Sequence, residues 1–211
     1  MKKGLIFDMD GTLWDSSENV AASWTEKIRE LGYNLPDITQ KDIMSVMGLT
    51  MDKIADILFG SLSKDERMNL LNLCCEHENE YLRRHGGVLY PDLENTLIRL
   101  KEKFYLYIVS NCQSGYIEAF LDFYGFGKYF EDIECYGNNL YEKGDNIALI
   151  VKRNDLEKAW YIGDIQGDYD ATMKAGLEFV HAAYGFGTIK QSVPELKKFS
   201  DLPELMETLC T

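Results

Sequence analysis

Short apolar runs alternate with longer amphipathic segments along most of this chain, and this alternation is the feature that most restricts its fold. The apolar runs are only a few residues long and rich in aromatic or β-branched residues, which is typical of buried strands. They cover residues 5–7, 105–109, 133–136, 160–162 and 179–183. Helical patterns follow most of them, at residues 113–124, 145–153 and 168–174. We therefore predict a Rossmann-like α/β fold, in which helices cover both faces of a parallel sheet.

One long stretch, residues 15–86, interrupts this alternation. It contains helical patterns only, at residues 18–31, 41–58 and 64–84. Gly86 and Gly87 then mark the return to alternating strands and helices, beginning with a predicted helix over 93–103. We predict two domains, in which a small all-α helical domain is inserted into the α/β core after the first strand. The core would comprise residues 1–14 and 87–211, and the inserted domain residues 15–86.

Two acidic residues, Asp8 and Asp10, directly follow the first predicted strand and precede Gly11 and Thr12. In parallel sheets, catalytic groups collect at the carboxyl ends of strands. Two carboxylates at such an end can divide the tasks of a nucleophile and of a proton donor or acceptor. A solvated turn is an equally good interpretation of these residues taken alone, because Asp and Gly are ordinary turn residues.

Two further segments could bind an anion. Ser110 and Asn111 end the strand predicted at 105–109, just before a helical pattern. A hydroxyl group and free backbone amides at a helix start suit a phosphate group, although Ser and Asn are also preferred helix caps. Lys143 precedes another helical pattern and could neutralise a bound phosphate, although a lone lysine is usually a surface residue.

Asp164 and Asp168 form a third acidic motif after the strand predicted at 160–162. One lies at the strand end and the other at the start of the next helix, so both side chains could face the same crevice. Carboxylate oxygens ligate hard cations, and Mg²⁺ is the cation that fits this pair best. Capping of the helix N-terminus is the structural alternative for Asp168.

The charge of the chain limits its partners. Lys and Arg number 22 and Asp and Glu number 35, which gives a formal net charge of -13. This acidity disfavours nucleic-acid binding, which needs cationic side chains, and leaves small metabolites and metal ions as expected partners. No stretch has the roughly 18 apolar residues of a membrane span, and the chain start does not match a signal peptide. We expect a cytoplasmic protein that does not bind membranes, and its oligomeric state is open.

All these motifs lie between a predicted strand and a predicted helix, and in this order they resemble the motif set of the haloacid dehalogenase superfamily. The motif DxDGT is matched by residues 8–12, and GDxxxD by residues 163–168. The hydroxyl residue after the second motif strand is matched by Ser110, and the lysine of the set by Lys143. The resemblance covers essentially the whole chain and implies an α/β core with a helical cap.

A covalent phosphatase mechanism is what this resemblance implies. Asp8 would attack the phosphorus atom and form an aspartyl-phosphate. Asp10 would protonate the leaving alcohol and then activate the water that hydrolyses the intermediate. The phosphoryl oxygens would be bound by Ser110, the backbone of Asn111 and Lys143.

The resemblance also implies a magnesium site. The ion would be held by Asp8, by the backbone carbonyl of Asp10 and by Asp164. Asp168 would support it directly or through water. A small phosphorylated metabolite is the expected substrate.

The predicted cap is similar in its placement to the caps of phosphoglycolate phosphatase-like enzymes and of β-phosphoglucomutase. The mutase pattern implies a histidine at position 20 and basic residues near positions 47 and 51. This chain has Val20, Met47 and Met51 there, which favours plain hydrolysis. Phosphoglycolate, a sugar phosphate and a nucleotide all stay open as substrates. A phosphomutase of the β-phosphoglucomutase type and a non-hydrolytic phosphoaccepting or binding protein are the alternatives.

Overall fold

The computed structural model describes residues 2–210, which contain eight strands and ten helices. The strands are β1 Lys3–Phe7, β2 Trp14–Asp15, β3 Val88–Leu89, β4 Tyr105–Ser110, β5 Phe130–Cys135, β6 Lys158–Gly163, β7 Glu178–Ala182 and β8 Glu195–Leu196. The helices are α1 Ser17–Glu30, α2 Gln40–Val46, α3 Met51–Leu58, α4 Lys64–His85, α5 Leu93–Lys101, α6 Tyr116–Tyr124, α7 Tyr136–Asn139, α8 Lys143–Arg153, α9 Gln166–Lys174 and α10 Leu202–Leu209. Within residues 2–210, none of the helices combines the length and the apolar character needed to cross a membrane.

Six strands form one parallel sheet in the order β5-β4-β1-β6-β7-β8. The central strand is β1, which pairs with β4 on one side and with β6 on the other. Leu5, Ile6 and Phe7 of β1 are completely buried, as expected for a strand covered on both faces. The prediction of a parallel α/β sheet is confirmed, and the carboxyl ends of its strands lie at one edge.

Each face of this sheet packs against its own apolar cluster, because successive residues of a strand point to opposite sides. Phe7 belongs to the cluster that contains Leu97 of α5 and Met206 of α10. Ile6 belongs to the other cluster, together with Ile147 of α8. Helices therefore cover both faces of the sheet, as the sequence predicts.

The chain between β2 and β3 contains only the helices α1–α4 among its regular elements, in agreement with the predicted helical insertion. β2 and β3 form an antiparallel pair, with Trp14 opposite Leu89 and Asp15 opposite Val88. The chain thus enters and leaves the helical segment along two adjacent strands. The division into a core of residues 1–14 and 87–211 and a cap of residues 15–86 stays a prediction, and this strand pair lies at its boundary.

The helix predicted over residues 41–58 is wrong, because α2 ends at Val46 and α3 begins at Met51. Gly48 between them has φ +83°, a left-handed conformation that an α-helix cannot contain. The backbone oxygen of Gly48 accepts a hydrogen bond of 2.8 Å from Asn111 Nδ2. A Cβ at this position would lie 2.3 Å from Ile165 Cδ1. The break therefore brings the α2–α3 loop into contact with residues that follow β4 and β6.

Substitution of Gly48 by alanine tests this contact. Gly48→Ala should lower the free energy of unfolding by about 1–2 kcal/mol through its left-handed backbone, and by up to about 1 kcal/mol more because the terminal methyl group of Ile165 must move. Gly32→Ala is the matched control, since Gly32 has φ +74° but no atom within 4 Å of the place where the alanine methyl group would lie. Urea denaturation of both variants measures the difference, and equal losses would contradict the proposed contact.

Candidate active site

The residues singled out in the sequence come together at the carboxyl edge of the sheet. Asp8 follows β1, Ser110 ends β4 and Asp164 follows β6, while Lys143 begins α8 and Asp168 lies in the first turn of α9. All five side chains are buried, and none is more than 6% exposed. The strand order explains this convergence, because β1 lies between β4 and β6.

Lys143 connects two of the acidic residues. Its Nζ donates hydrogen bonds to Asp8 Oδ1 at 2.8 Å and to Asp168 Oδ1 at 2.6 Å. The other oxygen of Asp168 accepts from the backbone N–H groups of Asp164 at 3.0 Å and Ile165 at 3.2 Å. Burial opposes the charged form of Lys143, but the charges of Asp168 and Asp8 outweigh it and hold its pKa well above the ordinary value. Lys143 is therefore a permanent cation at this site.

The positive charge of Lys143 does not neutralise the three acidic side chains around it. Oxygens of Asp8, Asp164 and Asp168 all lie within 4.8 Å of one another. Burial, followed by the charge of Asp168, raises the pKa of Asp8 to about 7 and that of Asp164 to about 8. Among the residues the structure describes, none donates a hydrogen bond to Asp8 Oδ2 or Asp164 Oδ1. This excess of negative charge on oxygen ligands fits a hard divalent cation such as Mg²⁺.

The position of Asp164 depends on a close approach of the loop that follows β1. Gly11 has φ +81°, and a Cβ there would lie 2.1 Å from Asp164 Oδ2. The same oxygen accepts a 2.7 Å hydrogen bond from the backbone N–H of Phe186. Only glycine leaves room for this carboxylate, which explains the Gly of the DxDGT motif in physical terms.

Asp10 has an environment different from that of Asp8. Its Oδ1 accepts hydrogen bonds of 2.7 Å from the hydroxyl groups of Ser16 and Tyr116. Burial raises the pKa of Asp10 to about 6, although both hydrogen bonds favour the ionised form. A carboxyl group with a pKa near neutrality can both donate and accept a proton in one catalytic cycle. The Asp10 side chain lies outside the acidic cluster. The predicted binding of a metal ion by the backbone carbonyl of Asp10 stays a prediction.

The sequence did not single out Ser16 and Tyr116. Tyr116 lies 106 positions from Asp10, so no local pattern connects them. Tyr161 was missed for a similar reason, because it lies inside a strand that was assigned only to the core. Its hydroxyl donates to the backbone oxygen of Val109 at 2.7 Å and lies 3.5 Å from Asp8 Oδ1.

The two predicted phosphate-binding residues after β4 differ in their surroundings. Ser110 is buried beside Asp10 in the wall of a cavity. The side chain of Asn111 donates to Gly48 in the α2–α3 loop, so it joins the inserted helices to the sheet edge. A role of the Asn111 backbone and of Ser110 in phosphate binding stays a prediction.

The cavity beside Asp10 has a volume of about 60 Å³ and lies between the inserted helices and the sheet edge. Its wall includes an acidic residue that the sequence did not single out, Glu78 of α4, which is 3% exposed. Trp24 Nε1 donates a hydrogen bond to Glu78 Oε2, and burial raises the pKa of Glu78 to about 7. One signal was present, since Glu78 has helical spacing with the apolar residues Cys74 and Leu82.

The acidic cluster predicts an unusual pH dependence of stability. The pKa values of Asp8 and Asp164, about 7 and about 8, lie above the ordinary value of 3.8. Between these values the folded chain retains protons that the unfolded chain releases. With EDTA present, the free energy of unfolding should therefore fall as the pH rises from about 4 to about 8.

Asp164→Asn should make this pH dependence shallower, and Asp155→Asn, at an exposed position, should leave it unchanged. Urea denaturation across the pH range measures both slopes. Stability that rises over this range in the wild-type protein would contradict the assigned environment of the cluster.

This chain is similar to known proteins over most of its length. The model of the family described as haloacid dehalogenase-like hydrolase matches residues 5–182. The phosphoglycolate phosphatase of Aquifex aeolicus is 28% identical over 215 residues, covering 96% of both chains. That of Vibrio parahaemolyticus is 27% identical over 226 residues, covering 98% of this chain and 96% of its own.

A crystal structure of a predicted phosphoglycolate phosphatase from Haemophilus somnus has the same fold. It superposes with a TM-score of 0.83 at 24% identity, covering 97% of this chain and 98% of the other. The family match spans most of the strands and helices that surround Asp8, Lys143 and Asp168. The resemblance seen in the sequence is thus confirmed, and this chain belongs to the haloacid dehalogenase-like hydrolases.

Proposed function

We propose that this protein is a Mg²⁺-dependent phosphatase that hydrolyses a small phosphomonoester through an aspartyl-phosphate formed on Asp8. Its family and its phosphoglycolate phosphatase relatives make it a phosphoric monoester hydrolase. The metal, the intermediate and the role of each residue are the proposal. The observation that supports it best is the contrast between Asp8, bound by Lys143, and Asp10, bound only by hydroxyl groups.

Asp8 is suited to be the nucleophile. Lys143 fixes its Oδ1, and Oδ2 accepts no hydrogen bond from the described residues, so a lone pair is available to attack phosphorus. A carboxylate that approaches a phosphate dianion is repelled, and the Lys143 charge reduces this repulsion. Bound Mg²⁺, held by Asp8, Asp164 and the Asp10 carbonyl with support from Asp168, would supply further positive charge to the phosphoryl oxygens.

Asp10 is suited to be the general acid and base. In its protonated form it would give a proton to the leaving oxygen as the ester P–O bond breaks. The resulting carboxylate would then take a proton from the water that attacks the aspartyl-phosphate, which releases inorganic phosphate and restores Asp8. Ser16 and Tyr116 hold the Asp10 side chain in one orientation for both steps. Ser110, the Asn111 backbone and Lys143 would bind the transferred group.

The cavity lining favours hydrolysis over the mutase alternative. Val20, Met47 and Met51, which occupy the positions where the mutase pattern implies His and basic residues, all line the cavity. An apolar wall of this kind does not retain a doubly phosphorylated sugar for a second phosphoryl transfer. Phosphoglycolate, a sugar phosphate and a nucleotide are the substrate classes to compare, and a cytoplasmic location stays a prediction.

Phosphate release from a panel of esters tests the function. Phosphoglycolate, sugar phosphates, nucleoside monophosphates and p-nitrophenyl phosphate should be assayed with Mg²⁺ and with EDTA. We expect Mg²⁺-dependent release that Asp8→Asn reduces to the uncatalysed background, because the nucleophile is lost. Asp155→Asn should retain full activity, because Asp155 is exposed and precedes β6, at the end of that strand opposite to Asp164. No release from any ester would disprove the phosphatase proposal.

Asp10→Asn tests the division of roles. An aryl phosphate has a leaving group that needs no protonation, so this variant should release about one equivalent of p-nitrophenol per chain and then stop. Intact-protein mass spectrometry should show one phosphoryl group on the stalled chain. Unchanged turnover would rule out Asp10 as the base.

In the wild-type protein the phosphoryl group should disappear in well under a second, whereas persistence over minutes would point to a phosphoaccepting protein.

A further inference from the structure

The charges in the cavity wall are all of one sign. Asp10 and Glu78 are its acidic residues, and none of the described residues that line it is Lys, Arg or His. Lys143, the cation of the site, contacts Asp8 and Asp168 and is not part of this wall. A phosphoryl group near Asp8 would therefore meet a cation, but the leaving group in the cavity would have no cationic side chain beside it, and its ionisable acidic neighbours would be Asp10 and Glu78.

Glu78 lacks the charge partner that a buried carboxylate usually has. Its Oε2 accepts a hydrogen bond from Trp24 Nε1, and Gln113, which lines the same cavity, is a neutral neighbour. A carboxylate has about four acceptor positions, so the neutral donor Trp24 leaves acceptor capacity unused. Burial of an uncompensated carboxylate is unfavourable, and a donor or cation supplied by a ligand would relieve it.

The aromatic ring of Trp24 fixes the position of the Glu78 carboxylate. Trp24 lies in the same wall and stacks on Phe59 with ring centroids 5.7 Å apart. Phe59 holds the indole in place, so its N–H stays directed at the Glu78 carboxylate. The Glu78 carboxylate thus has a fixed position in the cavity wall, where a hydrogen-bond donor on a ligand could reach it.

We propose, on the basis of the phosphatase function above, that Glu78 selects phosphomonoesters whose leaving group ends in a hydrogen-bond donor and carries no negative charge. Phosphorylated amino alcohols fit this wall best. The carboxylate of phosphoglycolate would face Asp10 and Glu78 without any cation, so phosphoglycolate fits poorly. At about 60 Å³, the cavity has room for about four to six water-sized groups, which matches a leaving group of two to four carbon atoms.

Three esters of equal length separate charge from size. They are 2-aminoethyl phosphate, 2-hydroxyethyl phosphate and phosphoglycolate, which end in an ammonium, a hydroxyl and a carboxylate group. The wild-type kcat/KM should fall in that order, and the first and last should differ on the order of ten- to a hundredfold. Equal values, or a preference for phosphoglycolate, would overturn the proposal without any variant being made.

Glu78→Gln tests the residue itself, because it removes the charge and keeps the shape. The ratio of kcat/KM for 2-aminoethyl phosphate to that for phosphoglycolate should fall by about tenfold or more. Glu76→Gln is the matched control, since it removes an exposed charge two positions away on the same helix and should leave the ratio unchanged. A structural role alone would lower both kcat/KM values together, so an unchanged ratio in Glu78→Gln would overturn the role of Glu78.

The two proposals fail in different ways. Activity on other members of the ester panel without any on the two-carbon esters ending in ammonium or hydroxyl would overturn the selectivity and leave the phosphatase function standing. Absence of phosphate release from every ester would overturn the phosphatase function itself. Circular dichroism checks that the Glu78→Gln variant is folded. If the variant does not fold, the order of the wild-type kcat/KM values for the three esters still tests the proposed selectivity.

Discussion

The hydrogen bonds of Lys143 to Asp8 and Asp168 are the interaction on which the site depends. They connect the end of β1 to the first turns of α8 and α9, and they place a permanent cation among three buried carboxylates. Loss of one partner from a buried ion pair typically costs about 3–5 kcal/mol, because the remaining charge is left uncompensated. Lys143 therefore stabilises the fold, and the proposed mechanism uses the same cation. The negative charge that Lys143 leaves uncompensated is what the proposed metal ion would neutralise.

A second level of organisation lies between the inserted helices and the sheet edge. The Gly48 carbonyl and the Asn111 amide connect the α2–α3 loop to the end of β4, and both residues line the cavity. The cavity wall is then completed by α1 and α4, which contribute Trp24 and Glu78. In the proposed mechanism the sheet edge would provide the phosphoryl chemistry, and the helices would determine which leaving group lies next to Asp10.

The sequence was sufficient for the sheet and for the positions of Asp8, Ser110 and Asp164, because parallel strands place their carboxyl ends together and each motif follows an apolar run. It was not sufficient for contacts made across the fold. The break at Gly48, the hydroxyl of Tyr116 on Asp10, and β8 with α10 all depend on packing between distant segments. No periodic pattern in 41–58 distinguishes two short helices from one long helix. β8 has only two residues, which is too short for any alternation to be detected.

The two hydroxyl groups on Asp10 come from different parts of the chain. Ser16 is the residue that precedes α1, at the start of the inserted helices, whereas Tyr116 begins α6 beside the sheet. Each hydrogen bond favours the ionised carboxylate. Any displacement of α1 that removes the Ser16 hydroxyl would raise the pKa of Asp10 and favour its protonated form. In the proposed mechanism, the acidity of the proton donor is thereby linked to the position of the inserted helices.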